Sequence, residues 1–258
     1  MRRIRCFAML SMTILLASCS VKEDRSDCPC WMQVDASCVM ADRIQLRGWW
    51  GSQALFDETL SGSSLRAFHE YTVPRGTVAV TAFAGKARLS EDGNNLVILH
   101  GAQMDSLFAH ASKVNTVCES TVDVVSLNKH FTTVYLDFKD EDDGRSAYDI
   151  TVYGNVGGLD IRTLEPVEGP FSCLPDMAPE RGYMFRVPRQ KDDSLIAVLS
   201  FHGNEVETIP IGELIRKAGF DWSKESLGDV SILCDLPAHT FAVTVMEWEG
   251  PVTFEITI

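Results

Sequence analysis

Strict alternation between Phe131 and Phe138 constrains this chain more than any other stretch. In an extended strand, Phe131, Thr133, Tyr135 and Asp137 fall on one side, and Thr132, Val134, Leu136 and Phe138 on the other. The second set is the expected core face. Comparable runs recur along the chain. Trp31 to Val39 reads as an opening strand, followed by Ile44 to Trp50 and Leu55 to Leu60. Thr77 to Gly85 is rich in β-branched residues behind the turn Pro74-Arg75-Gly76. Asp92-Gly93-Asn94-Asn95 is a hairpin turn before Leu96 to Leu99, and Val114 to Leu127 supplies further strands. Tyr148 to Gly154, the hairpin Leu195 to His202 with Glu205 to Ile209, and the runs Val230 to Asp235, Phe241 to Glu249 and Val252 to Ile258 complete the set. The glycine run Gly154-Asn155-Val156-Gly157-Gly158 reads as a turn. Helical spacing is confined to Met104–Ala111 and to Ile211–Ala218, which Gly219 stops. Many short strands, frequent turns and two short helices imply an all-β architecture, most economically two sandwiches. The natural cut falls at Asn128-Lys129-His130, giving an N-terminal sandwich over 31–128 and a C-terminal one over 129–258.

Hydrophobic residues make up 45% of the chain and charged ones 23%, proportions that support a real core. The formal charge of −13 repels a phosphate backbone, so nucleic acid is not an expected partner.

The first residues have a different purpose. Arg2, Arg3 and Arg5 precede an apolar run from Cys6 to Leu16, and small residues follow. That is a secretory signal over residues 1–18, too short to span a membrane, which takes about 20 apolar residues. Leu16-Ala17-Ser18-Cys19 resembles a bacterial lipobox. The resemblance implies that Cys19 becomes the N-terminus and carries a thioether-linked diacylglycerol and an amide-linked acyl chain. Each buried acyl CH₂ is worth about 0.8 kcal/mol, so a multiply acylated cysteine holds durably. Residues 19–30 then form a lipidated tether, and the remaining chain has 20 basic against 36 acidic residues, a charge of −16. Lys22-Glu23-Asp24 resembles the surface-export signal of Bacteroidetes lipoproteins; a plain solvated spacer accounts for the same residues.

Six further cysteines, Cys28, Cys30, Cys38, Cys118, Cys173 and Cys234, allow fifteen full pairings in an exported protein. A bridge within the first half together with one between Cys173 and Cys234 would respect the domain split. Cys28-Pro29-Cys30 lacks the two-residue spacing and the second ligand pair of a zinc site, so no metal is expected. Asp140-Glu141-Asp142-Asp143-Gly144 reads as a solvated hairpin tip rather than a calcium loop. The six histidines are scattered outside any hydrolase or zinc motif, and no glycine-rich phosphate loop opens a helix. Neither an enzyme nor a cofactor is indicated.

The order of pieces resembles the FimB/Mfa2-type fimbrial anchor and minor subunits of Bacteroidales. The likeness is carried by the lipobox, by Asp27-Cys28-Pro29, by the run from Tyr71 to Gly85, and by Met104-Asp105-Ser106-Leu107-Phe108. In the second half it is carried by Glu207 to Leu214, Leu227 to Ile232 and Val243 to Trp248. The resemblance implies two tandem transthyretin-like β-sandwich domains with a few short helices, and a non-enzymatic lipoprotein of the outer membrane and fimbrium. Its implied partners are fimbrial subunits joined by β-strand complementation, in which main-chain hydrogen bonds supply affinity and alternate side chains supply register. Val252, Phe254, Ile256 and Ile258 alternate with polar residues and form the candidate donor strand; a plain last strand of the second sandwich accounts for them equally. The rival expectation is a surface lipoprotein that captures glycan. It calls for an exposed, coplanar aromatic platform, for which Trp49-Trp50 is the candidate pair, whereas an anchor should keep Trp49, Trp50, Trp222 and Trp248 buried or at packing seams.

Overall fold

The computed structural model describes residues 28–85, 88–139, 148–178, 182–247 and 250–257, and the fold is all-β. In chain order come β1 (Cys30–Asp35), β2 (Arg43–Trp50), β3 (Gln53–Ser61), β4 (Phe68–Val73) and β5 (Thr77–Ala84). A small hairpin follows, β6 (Arg88–Leu89) and β7 (Asn95–Val97), then β8 (Phe108–Asn115), β9 (Ser120–Val124) and β10 (Asn128–Lys129). Beyond them lie β11 (Phe131–Phe138), β12 (Asp149–Asp160), β13 (Pro166–Cys173), β14 (Asp176–Met177) and β15 (Tyr183–Pro188). The chain continues with β16 (Ile196–Phe201), β17 (Asn204–Ile209), the helix α1 (Ile211–Lys217), β18 (Asp229–Asp235), β19 (Thr240–Glu247) and β20 (Gly250–Thr257).

Two sheets make the first sandwich, in the orders β4-β1-β9 and β10-β8-β5-β2-β3. Every second residue of β1 points inward: Cys30, Met32 and Val34 are fully buried, while Trp31 is exposed. They meet Leu46 of β2 and Val78 and Val80 of β5 in one core. Two sheets likewise make the second sandwich, β14-β15-β11-β18-β19-β20 facing β17-β16-β12-β7-β6, with β13 added to β12. Val134 and Leu136 of β11 and Phe185 of β15 meet Val152, Leu199 and Ile209 of the opposite sheet, and α1 closes one end with Leu214 and Ile215. Each such side chain contributes about 1.5–3 kcal/mol on burial.

The same local pattern opens both halves. β1 lies between antiparallel β4 and parallel β9; β11 lies between antiparallel β15 and parallel β18. The halves also share a third core, in which Trp49, Phe83 and Ala109 of the first sandwich meet Phe131 and Leu159 of the second. Leu96 joins that cluster because the β6–β7 hairpin, though early in sequence, pairs with Gly158–Asp160 of β12.

Two local expectations differ from what is observed. Residues 104–107 are irregular and 108–115 are strand, so Met104–Ala111 is not a helix. Met104 and Leu107 are buried as the apolar spacing suggests, but full pairing of β8 with β5 overrides the local helical preference. The glycine run 154–158 is not a turn either, since β12 continues through it to Asp160. Its register against β13 shifts at Gly154/Val156 and Val156/Gly158, so these glycines mark bulges and close backbone approach.

Candidate functional site

The sequence points first to the chain's beginning. Cys19, Lys22, Glu23 and Asp24 lie outside the described residues, as do Ile258, Trp248 and the acidic run 140–144. The described chain starts at Cys28, whose carbonyl accepts a 2.6 Å hydrogen bond from Arg75 Nε. The same guanidinium donates to the carbonyl of Val117, so Arg75 clamps the start of β1 to the loop before β9. One residue on, the Trp31 amide donates to Glu119 O at 2.8 Å.

The candidate donor strand is β20, at one edge of the larger sheet. It pairs with β19 over its whole length, from Glu247 opposite Gly250 to Thr240 opposite Thr257. Val252, Phe254 and Ile256 stand opposite Val245, Val243 and Phe241, and residues directly opposite share a face. That face of β19 is core, yet only Ile256 of β20 reaches the core, and only partly; Val252 is 54% exposed and Phe254 38%. The apolar row of β20 therefore overhangs the sandwich, beside an edge whose N–H and C=O groups face outward. Unpaired edges of this kind template strand addition.

A second feature lies between the halves, a cleft of about 700 Å³. Its floor comes from β8 and His130, one wall from the turn Thr163–Pro166 and residues 189–191, and the other from the segment Phe220–Glu225 after α1. Arg189 fixes that last segment by donating to the carbonyls of Trp222 and Lys224, the latter at 2.7 Å. Burial lowers the pKa of Arg189, opposed by the charges of Glu165 and Asp221. Asn128 donates to Glu225 Oε1 at 2.8 Å, and the Leu227 amide donates to Lys129 O at 3.0 Å. The 128–130 stretch, where sequence alone would divide the chain, is thus tied closely to the second half. His130 is 8% exposed; burial pushes its pKa down to about 4, with the Arg189 charge acting the same way, so its ring is neutral near pH 7. Four buried side-chain atoms of cleft residues have no hydrogen-bond partner within the protein: His110 Nε2, which lies 3.4 Å from Asp123 Oδ2, and His130 Nδ1, Gln190 Oε1 and Trp222 Nε1.

Of the tryptophans, Trp49 is buried and Trp222 packs edge-on to Phe220 at 4.7 Å. Trp50 is 43% exposed, and it neighbours Trp49 on one strand, so the two rings point to opposite faces and make no platform. Cys173 and Cys234 lie in the same core as free thiols, each with its pKa pushed up to about 12 by burial. Among the described residues no group of three or more His, Cys, Asp or Glu side chains is placed to hold a metal ion. No described helix is long and apolar enough to cross a membrane.

The fold is that of open β-sandwiches joined through a shared core. No family model matches the sequence, and no curated protein matches it. Solved structures do. The fimbrial anchor protein Mfa2 from Porphyromonas gingivalis is similar at a TM-score of 0.55 and 10% identity, over 86% of this chain and 98% of that one. A Bacteroides thetaiotaomicron protein proposed to bind polysaccharide gives 0.57 and 14%, over 88% and 98%. A proposed adhesin from Bacteroides ovatus gives 0.54 and 13%, over 91% and 97%. At such identities the likeness establishes the shared fold, and the neighbours include the fimbrial anchor that the sequence motifs suggest.

Proposed function

We propose that the protein is a non-enzymatic outer-membrane lipoprotein that anchors a fimbrium or serves as its accessory subunit. In this reading Cys19 carries the lipid, Lys22-Glu23-Asp24 directs export to the surface, and residues 31–128 and 129–258 act as two sandwich units. Its partners are fimbrial subunits, joined through β20 by strand complementation. The observation that carries the proposal is the overhanging row Val252, Phe254, Ile256, apolar and unroofed at an unpaired edge. Fold neighbours that include a fimbrial anchor support it.

Removing 252–258 tests the role of β20. A truncated protein that folds but no longer co-purifies with fimbrial subunits from its native membrane supports exchange of this strand. Retained association, or a chain that does not fold without it, assigns β20 to the sandwich alone. Metabolic labelling with a fatty-acid probe tests the anchor: label must disappear in Cys19→Ala.

A further inference from the structure

Beyond the fimbrial reading, and independently of it, we propose that Cys30 and Cys118 form a disulfide that staples the start of β1 to the loop before β9. The backbone brings these two residues together from opposite ends of the first sandwich's sequence. The Trp31 amide donates to Glu119 O at 2.8 Å, and the parallel register of β1 with β9 begins with Trp31 opposite Ser120. Cys30 immediately precedes Trp31 and Cys118 immediately precedes Glu119, so both stand on the same side of that bond. Paired strands run about 4.8 Å apart and rise about 3.3 Å per residue, so a one-residue offset puts Cα atoms about 6 Å apart, a separation that a disulfide spans. Arg75 fastens the same corner. Its Nε donates to Cys28 O at 2.6 Å, and the other arm of the guanidinium donates to Val117 O, beside Cys118.

The charges at this corner agree with the geometry. Burial raises the pKa of the Cys30 thiol, the Arg75 guanidinium opposes that rise, and Cys118 adds to it, an influence that requires the two sulfurs to be neighbours. The other cysteines are worse placed. Cys38 follows the far end of β1, and Cys173 and Cys234 sit in the core of the second sandwich. Cys28 shares the corner but lies ahead of β1, whereas Cys30 is set within it, opposite Val73 of β4.

Both residues are thiols here, Cys118 exposed and Cys30 fully buried, so an incoming small-molecule disulfide meets Cys118 first. The Cys118 thiolate attacks one sulfur of that disulfide and expels the other as a thiolate. Cys30 then gives its proton to solvent, with the Arg75 charge favouring the thiolate, and attacks Cys118 Sγ, and the second small thiolate leaves. Two protein thiols are oxidised and one small disulfide is reduced to two thiols. Strands β2 to β8 all lie between the two cysteines, and closing so long a loop constrains the unfolded chain strongly.

The test uses full-length protein in detergent, reduced and then exposed to oxidised glutathione without denaturant. After the remaining thiols are alkylated, a non-reducing peptide map should join the Cys118 peptide to the one that holds Cys28 and Cys30. The link should persist in Cys28→Ser and disappear in Cys30→Ser. Oxidation should raise the urea midpoint by about 1 M, and Cys118→Ala should abolish that rise. The proposal is overturned if Cys118 ends as a glutathione adduct or pairs with another cysteine, if the link forms in Cys30→Ser, or if the midpoint does not move. If Cys30→Ser does not fold, Cys28→Ser still decides: a link that survives there comes from Cys30, and its loss there overturns the proposal.

Discussion

Gly158 is where the early hairpin meets the second sandwich, and it offers the sharpest test of how the two halves are joined. A Cβ built there would lie 2.2 Å from Leu96 O and 3.2 Å from Leu96 C, both backbone atoms of β7. Carbon and oxygen cannot approach so closely, so in Gly158→Ala the hairpin must move by about an ångström. Leu96 is 3% exposed in the shared core, and the Ile98 amide donates to Gly157 O at 2.9 Å, so the movement disturbs burial and pairing together. Forcing a methyl into packed structure costs typically about 1–3 kcal/mol. Against this, alanine restricts the unfolded chain and returns about 0.4–1 kcal/mol, leaving a net loss of roughly 1–2 kcal/mol. Gly169, on the neighbouring β13, supplies the control: there the Cβ would meet Gly157 Cα at 3.5 Å, an ordinary contact, with no positive φ. Gly169→Ala should be neutral or slightly stabilising. Urea midpoints at unchanged slope, with hydrogen exchange at Ile98, measure both. If Gly158→Ala is as stable as Gly169→Ala, the hairpin does not bear on β12 in the way described.

Other consequences can be measured directly. Arg75→Ala should cost about 1–2 kcal/mol by releasing the carbonyls of Cys28 and Val117, and Arg75→Lys should restore little, because an ammonium lacks the fork that reaches both; urea midpoints report it. The His130 pKa falls from 6.5 unfolded to about 4 folded, so its contribution is present above pH 6.5 and is lost as pH falls toward 4. His130→Gln should therefore flatten the stability-versus-pH curve across that window, by about 2–4 kcal/mol between its ends; parallel curves would refute this. In the reduced protein, exposed Cys28, Cys38 and Cys118 should alkylate fast, while Cys173 and Cys234, with pKa values near 12, should react only on unfolding. Under oxidation, a peptide joining Cys173 to Cys234 in a non-reducing map would establish the bridge proposed for them.

Much of the fold is legible wherever one face of a strand alone is buried. The alternation from Thr132 to Phe138 marks Val134, Leu136 and Phe138 correctly as core, and Ile211–Ala218 correctly as a helix docked by its apolar face. Phe131 defies that alternation because it serves the shared core instead of the sandwich core. β13 gives no sequence signal, since Pro166, Gly169 and Pro170 argue against a strand; it is tolerated because, among the described residues, β12 is the one strand that β13 pairs with, apart from a single bridge between Cys173 and Gly101. The parallel partners of β1 and β11 are equally hidden, because they are set by crossovers that no local pattern records. The cleft escapes for the same reason: His130, Gln190 and Trp222 are far apart in sequence, and only the junction of the halves gathers them.

If the protein anchors a fimbrium as proposed, it has to carry tension, and the placement of β1 bears on that demand. If Cys19 holds the lipid, eight residues, a reach of at most about 30 Å, separate it from the described fold, so a pull from the membrane arrives at β1 almost undiluted. β1 is the middle strand of its sheet. Its ladder to β4 runs from Cys30 to Asp35 and its ladder to β9 from Trp31 to Asp35, and Arg75 fastens its start to the loop before β9. A force along β1 would have to shear both ladders at once, where a force on an edge strand could peel one. At the other end of the path, β20 is an edge strand and thus free to meet a partner. Between them lie the shared core around Leu96, Phe131 and Leu159 and the bonds of residues 128–129 to the 225–227 segment. With the lipid on Cys19 and a partner on β20 as proposed, the strand nearest the membrane would be the one enclosed on both sides, and the strand open to a partner would lie across a welded junction from it, an arrangement that suits transmission of load.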